Sequence, residues 1–366
     1  MGETRAFTEE HLPEVAALYM RVMRGRPAGG GQPLESYFRD IFLANPWVCP
    51  DITSLVYFSH GKLAGFLGVV PRFMEFRGRI IRVAATSQSM VDRKLRPGLA
   101  VYELLERVLQ GPQELTYNDG SSEEAYRVSA SWGMHGAKLY SFNWIRVLHP
   151  VQTARNFSDR AKGGFRLLAK TALAAALPVD TLLSRLSGPF SCPESSYISE
   201  RVNDSDLLQC IQKIGWREPL KPFYEPQSFR WLMSQAASAS TRGEFCMATV
   251  RNPAGELCGW YVYYAKPGGP ATVLQIGARG PQHFDHVLIA LFRDAWRQGC
   301  SSVKGQAIPQ YLVSLSNQSC LFRQLCTCVV CHSGDVDLVD TILRGEAALS
   351  NLDGEAWMRF SVESWE

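Results

Sequence analysis

The chain has 366 residues, 46% of them hydrophobic and 20% charged, which is too long for one ordinary domain of roughly 100–200 residues and comfortable for two. Its 38 basic and 35 acidic residues leave a net charge of +3, without the basic excess of a dedicated nucleic-acid binder, although a small polyanion needs only a local cluster of charge. Thirty glycines and twenty prolines are scattered, so neither a collagen-like repeat nor a disordered chain fits. The N-terminal stretch is polar and acidic, without the apolar core of a secretory leader. The longest apolar run, 165–177, is interrupted by Arg166 and Lys170 and falls short of the roughly 20 residues a membrane span requires. The expectation is a cytoplasmic protein with no stable membrane insertion.

In chain order, Thr8 caps a helix after a short strand, and Ser54–Phe58 and Phe66–Val70 form a hairpin about a turn at 59–61. The strand Ile80–Val91 then runs through a basic, glycine-bearing turn at 92–100 into an amphipathic helix, Val101–Gly111. Strand Glu114–Asn118, helix Ser121–Gly133 and strand Leu139–Val147 follow, the last expected to close the first domain. The stretch from about 156 to 196 is basic, rich in Ala and Leu and broken by Pro178, Pro189 and Pro193, and reads as a helical linker. After it the order restarts. Asp204–Ile211 is a capped helix, Phe245–Val250 and Trp260–Tyr264 a hairpin, and Val287–Gly299 an amphipathic helix ending, like the first, in Gln-Gly.

The restart is written in the residues. Gly61, Leu63, Gly65 and Phe66 recur at one constant offset as Gly255, Leu257, Gly259 and Trp260, so the chain carries two copies of one unit. Ten cysteines without a leader read as reduced thiols. Cys328-Val-Val-Cys331-His332 has the spacing of a haem attachment site, but it sits in a β-rich run. There Cys326 and Cys328 share one face, Cys331 takes the other, and Val329-Val330 makes no turn. No metal is expected.

The turn between strand and helix in the first copy carries the chemistry. Backbone N–H groups at a helix N-terminus favour anions, and Arg93, Lys94 and Arg96 add the charge suited to a pyrophosphate. Leu95-Arg96-Pro97-Gly98-Leu99-Ala100 resembles the Gln/Arg-x-x-Gly-x-Gly/Ala turn of the GNAT acyl-CoA-dependent N-acyltransferases, matching at Gly98 and Ala100. Further on, strand Glu114–Asn118 and helix Ser121–Gly133 are similar to that family's Asn-x-x-Ala-x-x-Leu-Tyr-x-x-x-Gly-Phe, with Ala125, Val128, Gly133 and Met134 in register. The resemblance covers residues 1–150 by motif and 197–366 by architecture.

The resemblance implies an α/β (α+β) fold of two GNAT-like domains, each a mixed twisted sheet flanked by helices, joined by a helical linker. Residues 1–155 would hold the acyl-CoA-binding turn, 156–196 the linker and 197–366 a second, degenerate copy. Acetyl-CoA or another acyl-CoA would be the donor and a small-molecule amine the acceptor, attacking directly in a ternary complex, in a monomer or homodimer. A bulge in the fourth strand would present Ser89, Met90 and Val91 to the thioester and pantetheine. Arg93, Lys94, Arg96, Pro97, Gly98, Leu99 and Ala100, with Asn118, would complete the CoA site. Ser129 stands where the family places its tyrosine general acid, so Ser129 acting through water, Tyr126 or Tyr140 are the candidate acids. Asp119, Asp92, Glu35, Asp40 and His135 are candidate bases.

In the second copy Arg279 and Gly280 persist but the Gly-x-Gly/Ala spacing does not, so this copy is expected to be a structural and substrate-binding partner. The aromatic cluster Trp216, Phe223, Tyr224, Phe229 and Trp231 reads as a domain-interface core or an acceptor wall. Two other functions fit the same architecture. One is a non-catalytic acyl-CoA sensor or scaffold, suggested by Ser129. The other is a Fem-type aminoacyl-tRNA-dependent peptidyl transferase, which would need no basic turn at 93–100 and carries a coiled-coil arm not found here.

Overall fold

The structure, a computed structural model, describes residues 2–26, 31–92, 94, 97–158, 180, 190–191, 194–324, 327–363 and 365. The expected helical linker lies almost entirely outside the described residues, as do Arg93, Leu95 and Arg96.

The first half contributes β1 (Gly2–Ala6), α1 (Leu12–Met23), α2 (Gly31–Phe42), β2 (Leu55–Ser59), β3 (Lys62–Phe76) and β4 (Arg79–Val91). It continues with α3 (Pro97–Leu109), β5 (Leu115–Ser122), α4 (Glu123–Ala130), β6 (His135–Gly136), β7 (Phe142–Val147) and α5 (Pro150–Ser158). The second half runs β8 (Ile198–Arg201), α6 (Asp204–Ile214), β9 (Leu220–Pro222), α7 (Pro226–Ala237), β10 (Glu244–Arg251), β11 (Leu257–Ala265) and β12 (Pro270–Ala278). Then come α8 (Pro281–Arg297), β13 (Ser302–Gln306), α9 (Leu312–Asn317), β14 (Leu321–Gln324), β15 (Thr327–His332) and α10 (Val336–Leu343).

Two sheets result, in the orders β1-β2-β3-β4-β5-β15-β6 and β8-β10-β11-β12-β13-β7-β14, with β9 added at the far end of β3. Written this way the sheets superimpose position by position, except that the sixth place in each is filled from the other half. β7, expected to close the first domain, instead pairs antiparallel with β13 and β14 (Ile145 opposite Lys304 and Leu321). β15 returns the exchange by pairing with β5 and β6. Each strand finds two neighbours in its adopted sheet.

The repeated glycines have a packing reason. Gly65 on β3 lies under α3, where an added Cβ would come within 3.1 Å of Leu104. Gly259, its counterpart on β11, lies under α8 with Val287 at 2.5 Å from the same added atom. On β3, Phe66 and Val70 face the core built by α1 and α2, while Leu67 and Val69 face the small core under α3.

The halves share one core, in which Tyr37, Phe38 and Phe66 of the first half pack with Leu232, Trp260 and Phe360 of the second. Tyr224 and Phe229 are buried in it, with Trp216 and Trp231 packed against it, so those four aromatics take the interface-core reading rather than the acceptor wall. The chain after α10 laces the molecule together. Leu352 donates to the Leu274 carbonyl in the second sheet, Trp357 stacks edge-on against Trp231, and Phe360 lies among Tyr37, Phe38 and Phe42.

Candidate functional site

β4 and β5 run parallel and paired only from Val83–Leu115 to Ala85–Tyr117, then part. Asn118 stands at the fork, its side-chain N–H donating to the Thr86 carbonyl at 2.6 Å and its side-chain oxygen accepting from Gly120 N–H and Ser121 Oγ. Its amide thus braces the opening. On β4 the register against β3 slips between Ser87–Gly68 and Met90–Phe66, leaving Gln88 and Ser89 opposite Leu67. This is a β-bulge, and Gln88 adopts φ +49°, which removes backbone groups from the ladder and re-aims side chains. The bulge lies at Gln88 and Ser89, meeting only at Ser89 the Ser89–Val91 stretch that the resemblance implied. Ser89 is exposed beside it, Met90 is buried in the shared core and Val91 packs against the core under α3.

Pro97 opens α3, where its missing N–H costs nothing. Gly98 lies in the first turn, Leu99 is exposed and Ala100 is buried against the sheet. Lys94 is exposed, its backbone N–H donating to Asp92, whose carboxylate also faces Arg21 at 3.6 Å. Asp92 is therefore a turn residue held by a cation.

The fork holds a second acidic group that the sequence did not announce. The chain after α10 brings Glu355 over Gly120, and the Glu355 backbone N–H donates to both Asp119 carboxylate oxygens at 3.0 and 3.3 Å. The approach is so close that a Cβ at Gly120 would overlap the Glu355 carboxyl, and one at Gly354 the Asp119 carboxyl. Desolvation raises Asp119 to about 6, against the N–H of Glu355 and the positive field of Arg72, which pull it down. Desolvation also raises Glu355, to about 8, and the neighbouring Asp119 charge adds to the rise while hydrogen bonds from Gln88 oppose it. The two form one coupled acid pair, each carboxyl raised by burial, whose protons leave in two steps that belong to the pair.

Arg72, from β3, is buried between Trp47 and Trp357, its guanidinium carbon 4.5 and 5.9 Å from the two ring centroids. None of its three guanidinium nitrogens makes a hydrogen bond to a described residue. It acts as a fixed positive charge beneath the fork, beside Asp353, which accepts from Tyr224 and Ser350.

The pair opens into a cavity of about 490 Å³ between the two sheets. Asp119, Gly120 and Glu355 form its wall on the first-sheet side, and β7, β13 and Arg323 of β14 its wall on the other. Ser129 and Tyr126 are not among the walls. Ser129 is buried in α4, and Tyr126 packs its ring on Gly136. Tyr140 lines the cavity with its ring, but its hydroxyl both donates to and accepts from the Ala347 backbone, at 2.7 and 2.8 Å. The fork therefore unites Asp119, Asn118 and the Ser89 bulge with Gln88 and Glu355, while Ser129 and Tyr126 lie off the cavity and the Tyr140 hydroxyl is taken up by Ala347.

The equivalent fork of the second sheet, where β12 and β13 part after Thr272–Lys304, is closed. Phe284 in the first turn of α8 stacks on Tyr311 with ring centroids 3.7 Å apart, and Leu352 covers the Leu274 carbonyl. Only about 30 Å³ is left there.

No protein-family model and no curated protein sequence matches the chain. Its fold does match solved structures. A probable N-acyltransferase from Enterococcus faecalis superimposes with a TM-score of 0.58 and 11% identity, over 94% of this chain and 74% of that one. A GCN5-related N-acetyltransferase from Anabaena variabilis gives 0.57 and 11%, over 92% and 74%. Eis1 from Mycobacterium abscessus gives 0.53 and 13%, over 93% and 76%. The chain has the α/β fold of GNAT N-acetyltransferases, with two mixed sheets flanked by helices. Among the described residues, no helix is long and apolar enough to cross a membrane.

Proposed function

We propose that the chain is an acyl-CoA-dependent N-acyltransferase with one working fork, in the first sheet, and acetyl-CoA as the simplest donor. The observation that carries this reading is the coincidence, at one fork, of a bulged strand and a coupled acid pair facing a cavity. The residues fit the donor. The bulge frees backbone at Gln88 and Ser89 for a thioester carbonyl, the buried Gln88 Oε1 has no hydrogen-bond partner, and Gly98 leaves the first turn of α3 bare for phosphate. Arg93, Lys94 and Arg96 supply charge to that end.

The acid pair supplies both proton steps. Asp119 takes a proton from the acceptor ammonium. The freed nitrogen pair forms the N–C bond to the acyl carbon as the C–S bond breaks. Glu355 gives its proton to the departing sulfur and its carboxylate takes up the second nitrogen proton released as the amide forms, so the products are the amide and free thiol, and the one proton left on Asp119 goes to solvent. In this reading Glu355 does what the tyrosine of other GNAT proteins does, and Ser129 is a structural residue of α4. Two carboxyls driven apart in proton affinity by their surroundings are a general route to an acid and a base in one site.

Isothermal titration with acetyl-CoA, followed by thiol release with a panel of amines, tests the reading. Binding should be micromolar to millimolar and should be lost in Gly98→Glu, which sets a side chain and a negative charge at the phosphate position. Unchanged affinity in that variant, or no binding by the wild type, refutes it.

A further inference from the structure

The cavity beyond the acid pair has walls of opposite charge. Its first-sheet wall carries Asp119 and Glu355, whereas its second-sheet wall carries Lys304 on β13 and Arg323 on β14. The register explains why both cations meet the same space. Lys304 is opposite Ile145, Arg323 is opposite Asn143, and Asn143 is opposite Gln306, which puts these side chains on the face of the second sheet turned away from α8. Val303 and Trp144, of the other parity, pack under α8 instead. Arg323 makes no ion pair with a described residue.

The floor between the charged walls is polar. Gln306 donates its amide N–H to the Tyr140 carbonyl at 3.0 Å, while its Oε1 is buried without a hydrogen-bond partner. A buried amide oxygen left unpaired costs free energy, about 1–3 kcal/mol, which a donor on a ligand would recover. A site built only for an apolar or polycationic amine would need neither that oxygen nor a cation such as Arg323 on the facing wall.

We infer that the acceptor is a small amine that also carries an anionic group, a carboxylate or a phosphate. Its ammonium lies against Asp119 and Glu355, and its anion lies against Arg323 and Lys304. The volume suits a molecule of that kind, since pockets for small ligands run from about 300 to 1,000 Å³. The inference rests on the acyl-transfer reading only for which end of the ligand reacts; the binding preference follows from the cavity alone.

Direct binding therefore tests it without catalysis. Isothermal titration would compare γ-aminobutyrate with butylamine, and glucosamine 6-phosphate with glucosamine, in wild type and in Arg323→Met. At least one anion-bearing member should bind tenfold or more tightly than its partner without the anion, and the pair that shows this names the anion. Arg323→Met should abolish the preference while leaving the melting temperature and acetyl-CoA affinity unchanged. Equal binding within both pairs overturns the inference, as does a preference that survives Arg323→Met. Thiol release from acetyl-CoA is then read separately. If the anionic amines bind but release no thiol, the acyl-transfer reading falls and the cavity assignment stands. If the amines without an anionic group are acylated better, the cavity assignment falls and acyl transfer stands.

Discussion

Asp119 and Glu355 are 236 positions apart in the chain, yet the backbone of one feeds the carboxylate of the other. Because Asp119 is raised to about 6 and Glu355 to about 8, between those values the pair carries one charge and one proton. A base must be deprotonated, so kcat/KM should rise with pH through about 6. An acid must be protonated, so it should fall again through about 8. Glu355→Gln is expected to remove the alkaline limb and lower kcat by about 10²–10⁴-fold, the usual worth of a positioned proton donor. Asp119→Asn should remove the acid limb with a loss of similar size. A full pH–rate profile for each variant checks this, and a bell that keeps both limbs in Glu355→Gln assigns the acid elsewhere. Asp119 was a candidate because it follows the strand read at 114–118, which in the structure runs on through it to Ser122. Glu355 was not, since an acidic residue in a Asp353-Gly-Glu355 turn carries no local sign of a partner in another half of the chain. Gln88 left a faint one: Thr86-Ser-Gln-Ser89 is a polar run directly after the apolar Val83-Ala-Ala85 of the same strand.

At the level of elements, the two hairpins were readable because turn glycines and close-packed glycines constrain residue type directly. Gly65 and Gly259 mark where a helix lies down on the strand, but the two contacts are not equally tight. An added Cβ at Gly65 would meet the end of the Leu104 side chain at 3.1 Å, which can rotate away. At Gly259 it would meet the Gly277 carbonyl oxygen at 2.5 Å as well as Val287, and backbone in the middle of a sheet cannot give. Gly259→Ala should therefore cost about 2–3 kcal/mol by overpacking, and Gly65→Ala less than about 1 kcal/mol. Urea unfolding of the two variants measures the difference, and equal midpoints would show that α8 shifts as freely as Leu104 turns. The closed second fork belongs to the same level. Its helix opens with Pro281, the ring of Phe284 in its first turn is buried against Tyr311, and the absence of the Gly-x-Gly/Ala spacing there was visible in the sequence.

The exchange of β7 and β15 is a property of the whole molecule, and nothing local encodes it. A strand's alternation states which of its faces is buried and not which neighbour it pairs with, and contiguity favoured the nearer sheet for β7. The consequence is that neither half can complete its sheet alone. Residues 1–158 would keep β5 and β6 with an open place between them and would carry β7 without β13 or β14. Unpaired strand edges of this kind lead to association and aggregation. The segment after α10 adds a second dependence, since Leu352, Glu355, Trp357 and Phe360 fasten it in turn to the second sheet, the fork and the first-half core. Separate expression of 1–158 and 190–366 should therefore yield insoluble or molten fragments. Co-expression should recover a one-to-one complex by size exclusion, with a single urea transition for tryptophan fluorescence and far-UV circular dichroism alike. Two resolved transitions in the intact chain, or a folded monomeric 1–158 fragment, would show that the exchanged strands are ornaments on independent domains. A single transition would make the second half a structural part of the site, because it delivers Glu355 and the cationic wall of the cavity.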